Sequence, residues 1–446
     1  MNTFVRIPIR TRWPARHPVT RGNGLRSSKA TALASAGPSR PRHSQGRAGR
    51  TGWRGRTGRR GRPAPAKEVA AGGKKLSASE VRIGYFPNLT HATALVGLQE
   101  GLIAKELGAT TIKPQSFNAG PSEIEALNGG SLDIGFIGPS PSINAYVKSK
   151  GNNLRIISGS ASGGVKLVVN PDKIKTLDDL KGKKIATPQK GNTQDVAFLN
   201  WISEKGWTVD PESGKGDVSV VRTDNKVTPD AFKQGSIDGA WVPEPTASKL
   251  VSDGGTVLLD ETSLWPDKKF VITNIIVSQK FLKEHPDVVE AVLKGTVKTN
   301  EWINANPDKA KASANAKLAA EGGKPLDAKV IDPAWTSILV TDDPLATTLK
   351  TESDWAVKAK LIEQPDLTGI YDLTLLNKVL KAAGKPEVSD ADLGAKSPAT
   401  TPPAATRAAP TIRNSDPRPD TTTETPGIRG SGDPGIRGSG ERTRGR

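Results

Sequence analysis

The chain runs to 446 residues with 35% hydrophobic content, a formal net charge of +18 and no cysteine. So small an apolar share excludes a chain that packs throughout its length. Zero Cys excludes disulfides, thiolate metal sites, a Cys nucleophile and a lipid-acceptor thiol, and no run reaches the ~18 apolar residues of a membrane span or forms the apolar stretch of a secretory signal.

Residues 1–75 hold 19 Lys and Arg against one acid, Glu68, a balance of +18. "GRAGRTGWRGRTGRRGR" (Gly46–Arg62) is low in complexity and lacks apolar periodicity, so the segment is expected to be a disordered basic tail. Two origins compete for it. An arginine-rich nucleic-acid tail needs aromatics among its arginines, and Phe4, Trp13 and Trp53 are sparse. Alternatively, it is upstream or out-of-frame sequence from a GC-rich gene, standing where a signal peptide belongs.

From Val81 short apolar strands alternate with amphipathic stretches. "VRIGYF" (Val81–Phe86) reads as a strand, "HATALVGLQEGLIAKEL" (His91–Leu107) as one helix, "TIKPQSF" (Thr111–Phe117) as a strand and "GPSEIEALNGG" (Gly120–Gly130) as a helix. "LDIGFIG" (Leu132–Gly138) is the next strand, feeding helical "SPSINAYVKS" (Ser140–Ser149). The pattern repeats after strand "VKLVVN" (Val165–Asn170), through "KKIAT", "GNTQDVAFLNWISEKGW", "DVSVVRT", "DAFKQG", "IDGAWV" and "PTASKLVSDGG". Such alternation predicts an α/β architecture of mostly parallel sheets with helices on both faces.

"KFVITNIIVSQ" (Lys269–Gln279) is then a long buried strand, with mostly helical sequence to about residue 385. A late strand followed by helices predicts that the chain crosses back: first lobe 76–164, second lobe 165–272, return and C-terminal helices 273–396. Residues 397–446 carry 8 Arg against 5 acids and the tandem "PGIRGSG", and are expected to be a second disordered tail. Its balance of +3 leaves −3 for the 321 residues between the tails, so the net charge does not argue for a nucleic-acid partner of the core.

Ligands of open α/β sheets sit at the carboxyl ends of strands, where loops feed helix N-termini. Four loops qualify: "PNLTHAT" (Pro87–Thr93), "GPSPS" (Gly138–Ser142), "KGNTQD" (Lys190–Asp195) and "WVPEPT" (Trp241–Thr246). A helix N-terminus offers unpaired N–H groups to a small oxyanion. Each loop also has a plainer reading. Asn192, Thr193 and Ser140 are good N-caps, Trp241 after an apolar strand suits a core, Glu244 suits a solvated surface, and Asn88, Thr90 and His91 are ordinary turn or structural residues.

No catalytic residue is expected. His91 and His285 are the only histidines of the core, and no G-x-S-x-G, H-E-x-x-H, Walker A or dinucleotide fingerprint occurs. "TDDP" and "SDAD" fall short of a calcium loop, so neither metal nor cofactor is expected.

Taken in order, "IGYFPNLTHATALVGLQEG", "FNAGPSEIEALNGGSLDIGFIGPSPSINAY", "TLDDLKGKKIATPQKGNTQDVAFLNWI", "GSIDGAWVPEPTASKL" and "NIIVSQKFLKEHPDVVEAVLKG" resemble the periplasmic substrate-binding proteins of ABC importers, in their sulfonate/nitrate/taurine group. The likeness spans about Ser79 to Gly394. It implies a bilobal type II periplasmic-binding-protein fold that closes on its ligand. It also implies a cleft lined by Asn88, Thr90, His91, Ser140, Gly191, Asn192, Thr193, Trp241 and Glu244, with the Gly-Asn-Thr turn holding sulfonate oxygens. The family implies a monomer outside the cytoplasmic membrane and peripheral to it, without catalysis, that delivers a small anion, foremost an aliphatic sulfonate, to a permease and ATPase. Nitrate, bicarbonate and taurine are its alternatives. A thiamine-pyrimidine synthase of related fold carries a Cys-rich motif that this chain lacks. Gram-positive members are lipoproteins, whereas the lipobox cysteine and the signal are absent from this sequence.

Overall fold

The computed structural model describes residues 75–322 and 324–394; the two tails read from composition lie outside the described residues. The first period-two run becomes β1 (Glu80–Tyr85), which buries Val81, Ile83 and Tyr85. The helix expected to run unbroken from His91 to Leu107 is two, α1 (Ala92–Gln99) and α2 (Leu102–Leu107). Gly101 between them sits at φ 66, a left-handed conformation that a glycine adopts without steric cost and that stops the first helix. There follow β2 (Thr111–Ser116), α3 (Gly120–Asn128), β3 (Ile134–Ile137), α4 (Pro139–Lys148) and β4 (Leu154–Gly163).

β4 has no counterpart in the sequence reading. Its second half is Ser-Gly-Ser-Ala-Ser-Gly, without the bulky β-branched residues that mark a strand, yet Ser158, Ser160 and Ser162 are all buried between neighbouring strands. The chain then leaves for the second lobe, built from β5 (Val165–Val169), β6 (Lys184–Thr187), α5 (Thr193–Glu204), β7 (Ser219–Arg222), α6 (Thr228–Lys233), β8 (Gly239–Pro243), α7 (Thr246–Ser252) and β9 (Thr256–Asp260). It returns in β10 (Val271–Ser278) and continues through α8 (Gln279–Glu284), α9 (Pro286–Ala305), α10 (Pro307–Gly322), α11 (Ala328–Thr336), β11 (Ile338–Val340), α12 (Ala346–Lys358) and α13 (Thr374–Ala382).

The first sheet has the order β11-β4-β10-β3-β1-β2 and the second β7-β6-β8-β5-β9. Neither is mostly parallel. β1 runs parallel to β2 and β3, and β6 to β7 and β8, but β10 is antiparallel to β3 and β4, and β5 to β8 and β9. The reason is the double crossing: β5 and β10 are the first strands after a change of lobe, and each enters its sheet from the opposite end. Leu167, Ile185, Phe198 and Trp241 are packed in the second lobe's core, while Ile83, Ile134, Phe136 and Ile275 belong to the first. α12 touches both lobes, packing on α4 and on α5, and Trp355 and Ala359 join the second core.

Candidate functional site

Six strand-end loops converge on one small cavity. From β1 come Phe86, Asn88, Thr90 and His91; from β2, Asn118; from β3, Gly138; from β6, Asn192, Thr193 and Gln194; from β7, Asn225; from β8, Pro243. Ile272 of β10 closes the wall. The volume is about 20 Å³, little more than the ~10–15 Å³ that admits one water. No Lys, Arg, Asp or Glu lines it.

The Gly-Asn-Thr turn is held from behind. Gly191 adopts φ 73 and its N–H donates to Asp195 Oδ2 at 3.0 Å. Asp195 is fully buried and also accepts from Thr187 Oγ1 at 2.8 Å and from Arg222 Nε at 3.0 Å. This clamp places Asn192 as the N-cap of α5, its Oδ1 accepting from the Gln194 N–H at 3.0 Å. The Asn192 amide group is thereby left with its Nδ2 donor. Thr193 comes next; its Oγ1 is buried without a hydrogen-bond partner, and its backbone N–H, first in α5, has no intrahelical acceptor.

His91 contributes a neutral donor. Its Nδ1 accepts from the Phe86 N–H at 3.3 Å, which assigns the ring proton to Nε2, and burial pushes its pKa down to about 3. The Phe86 ring lies 4.4 Å away, centroid to centroid. Around the cavity stand the first turns of α4 and α5 and the turn Leu89–His91 that runs into α1. A site of uncharged N–H and O–H donors at helix N-termini holds a small anion without a counter-ion; each dipole contributes typically ~0.3–1 kcal/mol, and up to ~2 when partly buried.

Of the nine residues expected in the cleft, Asn88, Thr90, His91, Asn192 and Thr193 line this cavity and four do not. Gly191 lines the neighbouring groove instead, between α3, α4 and the turn. Ser140 is buried under α12, where its Oγ donates to Glu352 Oε2 at 3.1 Å. Trp241 is core: it is fully buried, packs on Phe198 at 5.3 Å, and donates its indole N–H to Glu261 Oε2 at 2.6 Å. Glu244 is not solvated and does not line the cavity. It is buried and paired with Lys166 Nζ at 2.7 Å, while its carbonyl accepts the Leu89 N–H at 3.0 Å and so joins the two lobes.

The sequence reading missed Phe86, Asn118, Gly138, Gln194, Asn225, Pro243 and Ile272. Asn118 and Asn225 obey the same strand-end, helix-start rule that selected the other loops, so the rule had only to be applied to "FNAGPS" and "TDNKVTP". Gly138, Gln194 and Pro243 lie in loops that the rule did select, whereas Ile272 carries no such signal, because an apolar wall is recognisable only once its neighbours are known. Among the described residues no cluster of His, Asp and Glu could hold a metal ion, and no helix is long and apolar enough to cross a membrane.

The chain is similar to known binding proteins in sequence and in fold. The chain is 30% identical over 215 residues to the taurine-binding periplasmic protein of Escherichia coli K12, covering 48% of this chain and 64% of that one. The alkanesulfonate-binding protein of Xanthomonas axonopodis pv. citri, solved with MOPS bound, superposes at a TM-score of 0.53 with 21% identity, over 64% of this chain and 96% of its own. The periplasmic nitrate-binding protein of Synechocystis PCC 6803 does so at 0.56 with 14% identity, over 73% and 93%. These structures establish the fold as that of the periplasmic binding proteins, two α/β lobes about a cleft. Residues 74–320 match the NMT1-like family, and the chain is a member of that family.

Proposed function

We propose that this chain is the extracytoplasmic solute-binding component of an ABC importer, and that its lobes close on an aliphatic sulfonate for delivery to a membrane permease and its ATPase. The observation that carries the reading is the unpartnered Thr193 Oγ1 at the start of α5, inside a cavity that offers amides, hydroxyls and a neutral imidazole and no carboxylate. A sulfonate is ionised at every physiological pH and has three acceptor oxygens, so it needs donors rather than a titrating base. Glu244 is paired with Lys166 and does not line the cavity, so it brings no free negative charge to the anion.

A second reading draws on the size of the cavity. About 20 Å³ suits a headgroup more readily than a long chain, which favours nitrate or bicarbonate if nothing extends from the bound anion. The test is a thermal-shift and calorimetric screen of the full chain against methanesulfonate, longer alkanesulfonates, taurine, nitrate, bicarbonate and thiamine precursors. A ligand that binds only the folded state adds RT ln(1 + [L]/Kd), about 2.7 kcal/mol at 100 Kd. A shift confined to sulfonates sustains the proposal. A shift with nitrate or bicarbonate alone replaces it by the second reading, and one with thiamine precursors alone overturns both.

A further inference from the structure

The inner cavity shares three asparagines with a neighbouring groove. Asn88, Asn118 and Asn225 line it, and the same three residues line a second, larger groove of about 430 Å³. They come from the ends of β1, β2 and β7, so the shared wall spans both lobes. For an anion seated against Thr193, the outer groove is the adjoining space beyond those three side chains.

The groove is built for a particular remainder. Pro87, Pro229 and Pro245 form rigid apolar sides, suited to a short carbon chain. Lys226 stands at its margin, exposed, and pairs with no acid among the described residues. Lys249, also in the lining, shares the carboxylate of Asp253 with Lys233, which Asp230 faces as well. Asp224 is the only acid in the lining, and its Oδ1 is engaged by the Lys226 N–H at 2.8 Å within its own turn. Asp224 keeps its charge, so the lining residues Lys226, Lys249 and Asp224 sum to +1.

We infer that this outer groove is a subsite for a distal anionic group, and that the ligand is an α,ω-dianion with a sulfonate at one end of a short chain and a carboxylate at the other. The inference rests on the sulfonate reading above and adds to it a substrate class and a specificity residue, Lys226. A plain alkyl tail would use the proline walls and leave the lysine idle. An amine-ended tail would meet two lysines against one acid in the lining.

The test is calorimetry on the full chain at low salt with methanesulfonate, 1-propanesulfonate, 3-sulfopropanoate and taurine. The expected result is that 3-sulfopropanoate binds about tenfold or more tighter than 1-propanesulfonate, the advantage of one added charge-assisted contact, and that this ratio shrinks as salt is raised. Lys226→Gln should bring the ratio close to one. Lys280→Gln, which removes a lysine beside the start of β1, at the opposite end of that strand from the cleft, should leave the ratio where it was. A wild-type ratio near one, a ratio that Lys226→Gln does not move, or taurine as the tightest ligand overturns the inference while methanesulfonate binding still upholds the sulfonate reading. Absence of heat with all four, methanesulfonate included, overturns the sulfonate reading itself.

Discussion

Lys166 Nζ lies 2.7 Å from Glu244 Oε1, and Glu244 is wholly buried. The same ammonium donates to Ser337 Oγ at 2.7 Å, and the same carboxylate accepts from the N–H and Oγ of Ser248. The pair therefore fixes the segment that follows β8, whose Glu244 carbonyl accepts the Leu89 N–H from the first lobe. Removing one partner of a buried pair leaves an uncompensated charge, and Lys166→Met should cost about 3–5 kcal/mol of stability. Lys166→Met with Glu244→Gln should recover most of that loss in urea unfolding; a double variant as unstable as the single one would mean the pair is not what holds the segment.

Thr193 separates capping from binding more cleanly than Asn192 does. Asn192→Ala removes a cap and should cost ~0.5–2 kcal/mol of stability before any ligand is added. Thr193→Val removes a hydroxyl that no protein group satisfies, so the unliganded fold should hold or gain slightly. Ligand affinity should nevertheless fall by about 1.5–3 kcal/mol, the range for a hydrogen bond to a charged group. Calorimetry beside thermal melts reads both numbers, and an unchanged affinity would remove this hydroxyl from the site.

Gly138 touches the same oxygen from the other side. A Cβ built there would run into Thr193 Oγ1, so Gly138→Ala should displace the hydroxyl from the cavity and weaken binding by about 1.5–3 kcal/mol, the range for losing its hydrogen bond to a charged group. Combined with Thr193→Ala, the second methyl has room, and the double variant should bind no worse than Thr193→Ala alone.

Buried titratable groups set opposing pH slopes. His91 has a pKa pushed down to about 3 by burial, so between about 3 and its ordinary ~6.5 the unfolded chain holds the extra proton, and stability rises with pH. Glu261 is pushed up to about 7 by burial. Between its ordinary ~4.3 and 7 the folded chain holds the extra proton, and stability falls as pH rises, by up to about 1.4 kcal/mol per unit. Glu123 and Glu352, raised well above their ordinary range by burial, add to the falling limb. Glu261→Gln should make the decline between pH 5 and 7 shallower, as read from melts across that range, whereas His91→Gln should make it steeper.

The candidate site was legible to the extent that its chemistry is local. The donors at Asn192 and Thr193 belong to a turn that caps its own helix, and capping is a relation among neighbours in sequence. The clamp behind them was not legible, because Asp195 and Arg222 stand 27 residues apart. Nor was the neutralisation of Glu244, whose partner Lys166 is 78 residues away. Trp241 illustrates the converse: its position after an apolar strand is compatible with core and with cleft, and only its packing on Phe198 and its bond to Glu261 decide between them.

From the sequence alone, periodicity determined most strands and helices, their alternation the α/β class, and motif order the family resemblance. Those are properties of short windows, governed by backbone geometry and by which side chains a window can bury. The tertiary structure decided what depends on distant segments meeting. It set the direction of β5 and β10, which comes from crossing between lobes, and it recruited the Ser-Gly-Ala run of β4 into a sheet. It also brought Asn88, Asn118 and Asn225 from three loops into one wall between an inner cavity and an outer groove. A side chain's role in such a wall is fixed by what lies across from it, and that is information no local pattern contains.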